Sequence, residues 1–228
     1  MRGFTTAFLL ENAMQRRRGM LPTRLSICKS MILRSFLVAG LFFSTAAPTW
    51  AAEAPDAING LNAQLLATMK QAQSLGVQGR YDALSPVLAK TYDIGSMTRA
   101  AVGANWETLQ PAQKAALTDA FARMMIATYA KRFDGFSGET FKITEVTDRA
   151  TDKMVKTQII QSNGKPVAIN YLMRKSGPEW RVVDVYLDGT ISELASRRAE
   201  FTSILKAGGP DALIASLRKQ GDRLLSGG

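Results

Sequence analysis

The chain has 228 residues, of which 46% are hydrophobic, with one cysteine, no histidine and a formal net charge of +10. Without histidine there is no Ser-His or Cys-His pair for nucleophilic catalysis, and the usual zinc ligand sets are excluded. A single cysteine also excludes an intrachain disulfide, so a folded domain of this chain depends on its hydrophobic core.

The first 51 residues have the layout of a secretory signal. Arg34 precedes an apolar run at residues 36–43, and small residues then lead to Ala51, after which we expect cleavage. An uncleaved membrane anchor is the alternative, but the run is far shorter than the roughly 20 residues that a spanning helix needs. Removing residues 1–51 takes away seven basic residues and one acid, which lowers the net charge to +4. We therefore predict export, one mature domain at 52–228 and no nucleic-acid partner.

The first half of the mature sequence predicts helices. Apolar residues recur at helical spacing from about residue 56 to 73, and two shorter helices follow. The second of these begins after Asp93 as its N-cap and ends at Gly103. Pro111 is well placed as the first residue of the longest helix, whose apolar stripe ends near Phe133. This stripe is rich in methionine and aromatic side chains, which fits either a packed core or the wall of a site for an irregular apolar ligand.

From about residue 141 the apolar residues alternate with a period of two, which indicates strands. Four such runs are predicted. The turn signals Asn163-Gly164 and Gly177-Pro178 join the last three runs, and strands that are joined by short turns form an antiparallel meander. A capped helix at residues 191–207 and a shorter final helix follow. The predicted fold is α+β, with helices packed on a four-stranded antiparallel sheet.

The fourth predicted strand, residues 180–187, is apolar on both faces apart from one carboxylate. Asp184 interrupts the face that regular alternation assigns to Val182 and Tyr186. A buried carboxylate is unfavourable unless it is hydrogen-bonded or paired, or unless it has a raised pKa and transfers protons. We predict a structural pair with Arg99, and the alternative is a cavity enzyme in which Asp184 acts on an isoprenoid lipid.

Residues distributed over most of the mature chain resemble one known family. The resemblance is carried by Tyr92-Asp93-Ile94, Met97, Arg99, Val102-Gly103, Trp106, Gln113, Phe121, Tyr129, residues 180–189 and residues 198–201. From about Tyr92 to Leu217 this pattern resembles the toluene-tolerance auxiliary, or MlaC-type, family of periplasmic lipid carriers. Residues 189–195 are similar to the branch that is associated with hopanoid biosynthesis.

The resemblance implies a non-enzymatic periplasmic shuttle without a cofactor. Helices around a curved antiparallel sheet would enclose an apolar cavity for a phospholipid or a hopanoid-type lipid. The implied partners are an inner-membrane ABC transporter of the MCE type and an outer-membrane lipoprotein complex, each contacted transiently. Each buried CH₂ group contributes about 0.8 kcal/mol, so a lipid crosses water readily only inside a sheltering pocket. A ligand-free envelope adaptor with a solid core is a further alternative.

The candidate cavity residues are large apolar and aromatic side chains of the predicted helices and of the last two strands. They are Met97, Trp106, Phe121, Met124, Met125, Tyr129, Tyr171, Met173, Trp180, Val182 and Tyr186. The same periodicity also fits a solid core, because a cavity wall and a packed interior share one hydrophobic pattern.

Overall fold

The structure, a computed structural model, describes residues 53–226, so the predicted secretory signal lies outside the described residues. The first four helices are α1 (Ala54–Lys70), α2 (Ala72–Thr91), α3 (Ile94–Val102) and α4 (Pro111–Arg132), with a 3-10 turn at Gly103–Thr108 before α4. The strands are β1 (Thr140–Arg149), β2 (Asp152–Ile160), β3 (Pro166–Ser176), β4 (Glu179–Leu187) and the two-residue β5 (Ile191–Ser192). Helix α5 (Glu193–Leu225) follows β5.

The helix boundaries follow from local sequence signals. The Asp93 side chain accepts a hydrogen bond from the backbone N–H of Ser96 at 3.0 Å and so caps α3, as predicted. Pro111 is the first residue of α4. Two helices change direction at a glycine with a positive φ angle, α2 at Gly76 (φ 60°) and α5 at Gly209 (φ 71°). A residue with a Cβ rarely adopts this backbone conformation, so the sequence places both breaks where glycine allows them.

The strands form one antiparallel sheet in the order β1-β2-β3-β4-β5. This order confirms the predicted meander, to which the short β5 is added. On the side that faces the helices, Val155 of β2 pairs with Tyr171 of β3, and Tyr171 pairs with Val185 of β4. All three side chains are buried, so this face is the contribution of the sheet to the core.

A β-bulge in β4 interrupts the pairing with β3. Met173 pairs with Val182. The preceding residue of β3, Leu172, pairs with Asp184, so Val183 is an extra residue in the pairing. Such an insertion shifts the alternation of side chains by one position for the rest of the strand.

The bulge decides which side chains of β4 face the helices. Val182 and Val185 pair with residues of one face of β3 and therefore lie together on the helix-facing side. Tyr186 pairs with Asn170 and lies on the opposite side. The predicted shared face of Val182 and Tyr186 was wrong, because regular alternation assumes an uninterrupted strand.

The helices cover the sheet unevenly. Helix α1 approaches β1, β2 and β4, and its buried residues include Ile58, Leu61 and Leu65. The chain between α2 and α3 covers the edge of β4, where the backbone N–H of Asp93 donates to the carbonyl of Val182 at 2.9 Å. Helix α4 packs mainly against α5, α2 and α3. Its contact with the sheet is made by long side chains near its C-terminal end.

Candidate functional site

The candidate site lies between the C-terminal end of α4 and the helix-facing side of the sheet. Tyr129 and Phe133 are one helical turn apart, and their rings stack with centroids 5.7 Å from each other. The Phe133 ring lies 6.3 Å from the ring of Phe141 in β1. A row of three aromatic rings therefore connects α4 to the first strand.

At this end of the sheet, helix-facing apolar side chains keep part of their surface accessible. The half-buried residues are Phe141, Ile143, Val167 and Leu187. The strand register places them together on one face, because Phe141 and Val167 both pair with Ile159. The next row on this face runs from Ile143 to Leu187 by way of Thr157 and Ile169. The helix layer thus leaves apolar surface uncovered here, and we call these four half-buried residues the open end.

Three tyrosines lie further inside. The hydroxyls of Tyr92 and Tyr129 are hydrogen-bonded to each other, and their rings meet edge to face with centroids 6.0 Å apart. Tyr171 of β3 lies close enough to interact electrostatically with both, and only 2% of its surface is exposed. Burial raises the pKa of Tyr92 and of Tyr171 well above the ordinary value, and the neighbouring Tyr129 raises both further. The three phenols are therefore neutral at physiological pH, and we call them the hydroxyl cluster.

Tyr129 combines a deep position with an accessible surface. Burial raises its pKa, as expected for a phenol that is surrounded by protein, yet the residue is only half-buried. A side chain that is deep in the fold and still accessible borders a recess rather than a sealed core. Tyr129 therefore lies at the boundary between the open end and the interior.

The predicted cavity residues fall into three groups. The buried ones are Met97, Phe121, Met124, Met125, Tyr171, Met173 and Val182. The half-buried ones are Trp106, Tyr129 and Trp180, and Tyr186 lies on the opposite side of the sheet. Except for Tyr186, their role in lining a cavity stays a prediction, because core and cavity wall are equally buried.

Trp180 lies at the far end of the sheet from the open end. Its ring lies between the ammonium groups of Lys153 and Lys175, which are 5.5 Å and 5.6 Å from the ring centroid. Trp106 is contacted in a similar way by Lys114 at 5.8 Å. Both tryptophans are thus partly covered by lysine side chains, which provide cation–π contacts.

Asp184 is a structural residue with other partners than predicted. Its carboxylate accepts hydrogen bonds from the backbone N–H groups of Val185 at 2.7 Å and Leu194 at 3.1 Å, and from the Ser192 hydroxyl at 2.7 Å. The predicted pair with Arg99 is wrong, because that guanidinium binds Glu107 at 2.7 Å on the surface. The unpaired N–H groups at the start of α5 replace a basic partner.

Several residues of the site were not among the candidates from the sequence. They are Tyr92, Phe133, Phe141, Ile143, Val167 and Leu187. The available signals were the alternation in β1 and the Asn163-Gly164 turn, which aligns β2 with β3. Neither signal reveals which end of the sheet the helices leave uncovered, so these residues could not be selected in advance.

Two kinds of site are missing from the part of the chain that the structure describes. Between residues 53 and 226, no three His, Cys, Asp or Glu side chains are grouped so that they could hold a metal ion. Nor does any helix in that range have the length and apolar character needed to cross a membrane.

Comparison with known proteins identifies the family. Residues 60–219 match the family model described as MlaC protein. The fold is similar to a phospholipid-binding protein from Ralstonia solanacearum, whose structure was determined in complex with a phospholipid. The two chains are 24% identical with a TM-score of 0.68, and the match covers 76% of this chain and 99% of the other. This likeness confirms the predicted α+β fold. Because the family model spans most of the sequence, the chain belongs to the MlaC family, as the resemblance of residues 92–217 predicted.

Proposed function

We propose that this protein is a periplasmic lipid carrier that shelters the hydrocarbon of a phospholipid or a hopanoid-type lipid between α4 and the sheet. Membership of the MlaC family supports a lipid ligand, as does the phospholipid in the Ralstonia structure. The observation that carries the proposal is the open end, where four apolar side chains on the helix-facing side of the sheet remain partly accessible. Lipid hydrocarbon covers such a surface more favourably than water does.

The free energy of exposing hydrocarbon explains why a carrier is needed. Each CH₂ group that is removed from water contributes about 0.8 kcal/mol, so a chain of about 16 carbons represents roughly 12 kcal/mol. Free diffusion of a two-chain lipid between membranes is correspondingly rare. A protein that keeps the chains buried during transit removes most of this barrier.

In the proposed cycle, the protein exchanges its lipid with a membrane complex at each side of the periplasm. The partners are an inner-membrane ABC transporter of the MCE type and an outer-membrane lipoprotein complex, and the cycle maintains the lipid asymmetry of the outer membrane. The secretory signal predicted at residues 1–51 supports export. The cycle contains no catalytic step, and the three hydrogen bonds that hold Asp184 support a structural role for that carboxylate.

Native mass spectrometry of the exported protein, purified without detergent, tests lipid binding. We expect about one lipid per chain, and fragmentation of that lipid distinguishes phospholipid from hopanoid. Val167→Trp places a large ring at the open end and should lose most of the lipid. The control Lys142→Trp adds the same ring to an exposed position of the adjoining strand β1 and should retain it. A wild-type protein that carries no lipid under gentle conditions would argue against the proposal.

Transfer and export need separate measurements. Vesicle-to-vesicle movement of a fluorescent phospholipid should be accelerated by the wild-type protein and by Lys142→Trp, and much less by Val167→Trp. N-terminal sequencing of the protein from a periplasmic extract should begin at Ala52. Recovery of the uncleaved chain in the membrane fraction would instead favour the anchor.

A further inference from the structure

The hydroxyl cluster has more hydrogen-bond donors than the described protein satisfies. Each of the three phenols carries one O–H donor. Among residues 53–226, their only hydrogen bond is the one between the hydroxyls of Tyr92 and Tyr129, which uses a single donor. Two O–H donors are therefore left without a protein acceptor. One of them belongs to Tyr171 and the other to either Tyr92 or Tyr129.

Unpaired donors in an apolar interior indicate an acceptor that is not part of the described chain. A buried tyrosine hydroxyl usually has a hydrogen-bond partner, because leaving it without one is unfavourable. Tyr92 and Tyr171 are 1% and 2% exposed, so bulk water is not the partner. Burial also raises the pKa of both groups, which keeps their protons in place as donors well into the alkaline range.

The cluster is connected to the open end by ring contacts. Phe141 at the open end lies next to Phe133, and Phe133 stacks on Tyr129, whose hydroxyl meets Tyr92. A lipid that enters at the open end with its chains directed inward therefore passes these rings before any polar part of it reaches the cluster.

We propose that the hydroxyl cluster donates hydrogen bonds to an ester carbonyl oxygen of the bound lipid, so that the protein selects acyl-ester lipids. This inference rests on the proposed function, since it requires a lipid inside the fold. An ester carbonyl accepts hydrogen bonds and offers no donor, which matches a site that supplies donors alone. An ether-linked chain lacks the carbonyl, and a hydrocarbon ring system lacks any acceptor at that position, so both leave the hydroxyls unpaired.

The test compares two lipids that differ only in the linkage. Delipidated protein is incubated with equimolar vesicles of diester and diether phosphatidylglycerol that have the same saturated chains, and the retained lipids are counted by native mass spectrometry. We expect the wild type to prefer the diester by about tenfold, the ratio that corresponds to one buried hydrogen bond. Tyr171→Phe should lower the preference to about twofold. The control Tyr186→Phe removes a hydroxyl from the opposite side of the sheet and should keep the wild-type ratio.

The outcomes separate this inference from the proposed function. Equal retention of both lipids by the wild type, or an unchanged ratio in Tyr171→Phe, overturns the inference and leaves the carrier function standing. Retention of neither lipid by the wild type contradicts the carrier function itself. If Tyr171→Phe does not fold, Tyr129→Phe takes its place, because Tyr129 is half-buried and loses only its hydroxyl.

Discussion

The carboxylate of Asp184 accepts a hydrogen bond from the backbone N–H of Leu194 at 3.1 Å, which joins β4 to the first turn of α5. The Ser192 hydroxyl, at the N-cap of α5, donates to the same carboxylate at 2.7 Å. The first N–H groups of a helix have no partner within it, and the helix dipole is positive at that end. One buried acid thus stabilises the start of the helix without a basic side chain.

Asp184→Ala should lower the free energy of unfolding by about 2–4 kcal/mol, because it leaves buried donors unpaired and removes the helix cap. Urea denaturation measures the loss. Asp119→Ala is the control, an exposed acid on α4 that should change stability by no more than about 0.5 kcal/mol. Equal losses for the two variants would contradict the anchoring role. At temperatures where Asp184→Ala is folded, its retained lipid should match the wild type.

Arg80→Met should cost about 2–4 kcal/mol of stability. The buried guanidinium donates to the carbonyl of Ala130 at 2.7 Å and to the carbonyl of Ala72 at 2.8 Å, so it joins both ends of α2's first segment to the end of α4. Methionine fills a similar volume but leaves both carbonyls without this donor. Arg99→Met, which breaks an exposed ion pair, should cost less than about 1 kcal/mol. Thermal unfolding of the two variants side by side decides whether burial makes this difference.

The buried tyrosines predict a loss of stability at alkaline pH. The pKa of Tyr92 and of Tyr171 is raised well above 10.0 in the folded protein, so the unfolded chain releases these protons first. The stabilisation is complete below about pH 10 and is lost as the pH rises toward the folded-state pKa values. Tyr171→Phe should flatten the alkaline decline by up to about 1.4 kcal/mol per pH unit. Unfolding measured between pH 8 and 12, with tyrosinate absorbance as a second signal, checks this. A slope identical to the wild type would show that Tyr171 titrates alike in both states.

The ion pair between Arg174 and Asp152 predicts the opposite pH dependence. Two hydrogen bonds at 2.6 Å and 2.8 Å join the groups, and those from Arg174 lower the pKa of Asp152. The stabilisation is present above the unfolded-state pKa and is lost as the pH falls through the folded-state value. Because Arg174 is more than half exposed, Arg174→Gln should cost only about 1 kcal/mol at pH 7. The difference from the wild type should vanish in strong acid. Lys175→Gln, one residue along the strand, is the control and should show no such pH-dependent difference.

Much of the fold could be predicted from the sequence because its signals are local. The cap at Asp93, the start of α4 at Pro111 and the breaks at Gly76 and Gly209 each depend on a few neighbouring residues and on allowed backbone angles. The alternation of apolar residues and the short turns were sufficient to predict the antiparallel order of the strands. Family membership also followed from the sequence alone.

The sequence by itself determined the types and order of the elements, and only the tertiary structure decided how their side chains meet. A single extra residue at Val183 moved Tyr186 to the opposite side of the sheet, and this depends on the pairing of β4 with β3. The partners of Asp184 and the open end likewise depend on where α5 begins and which strands the helices cover. Such contacts join residues that are distant in the chain, whereas propensity and periodicity describe only neighbours.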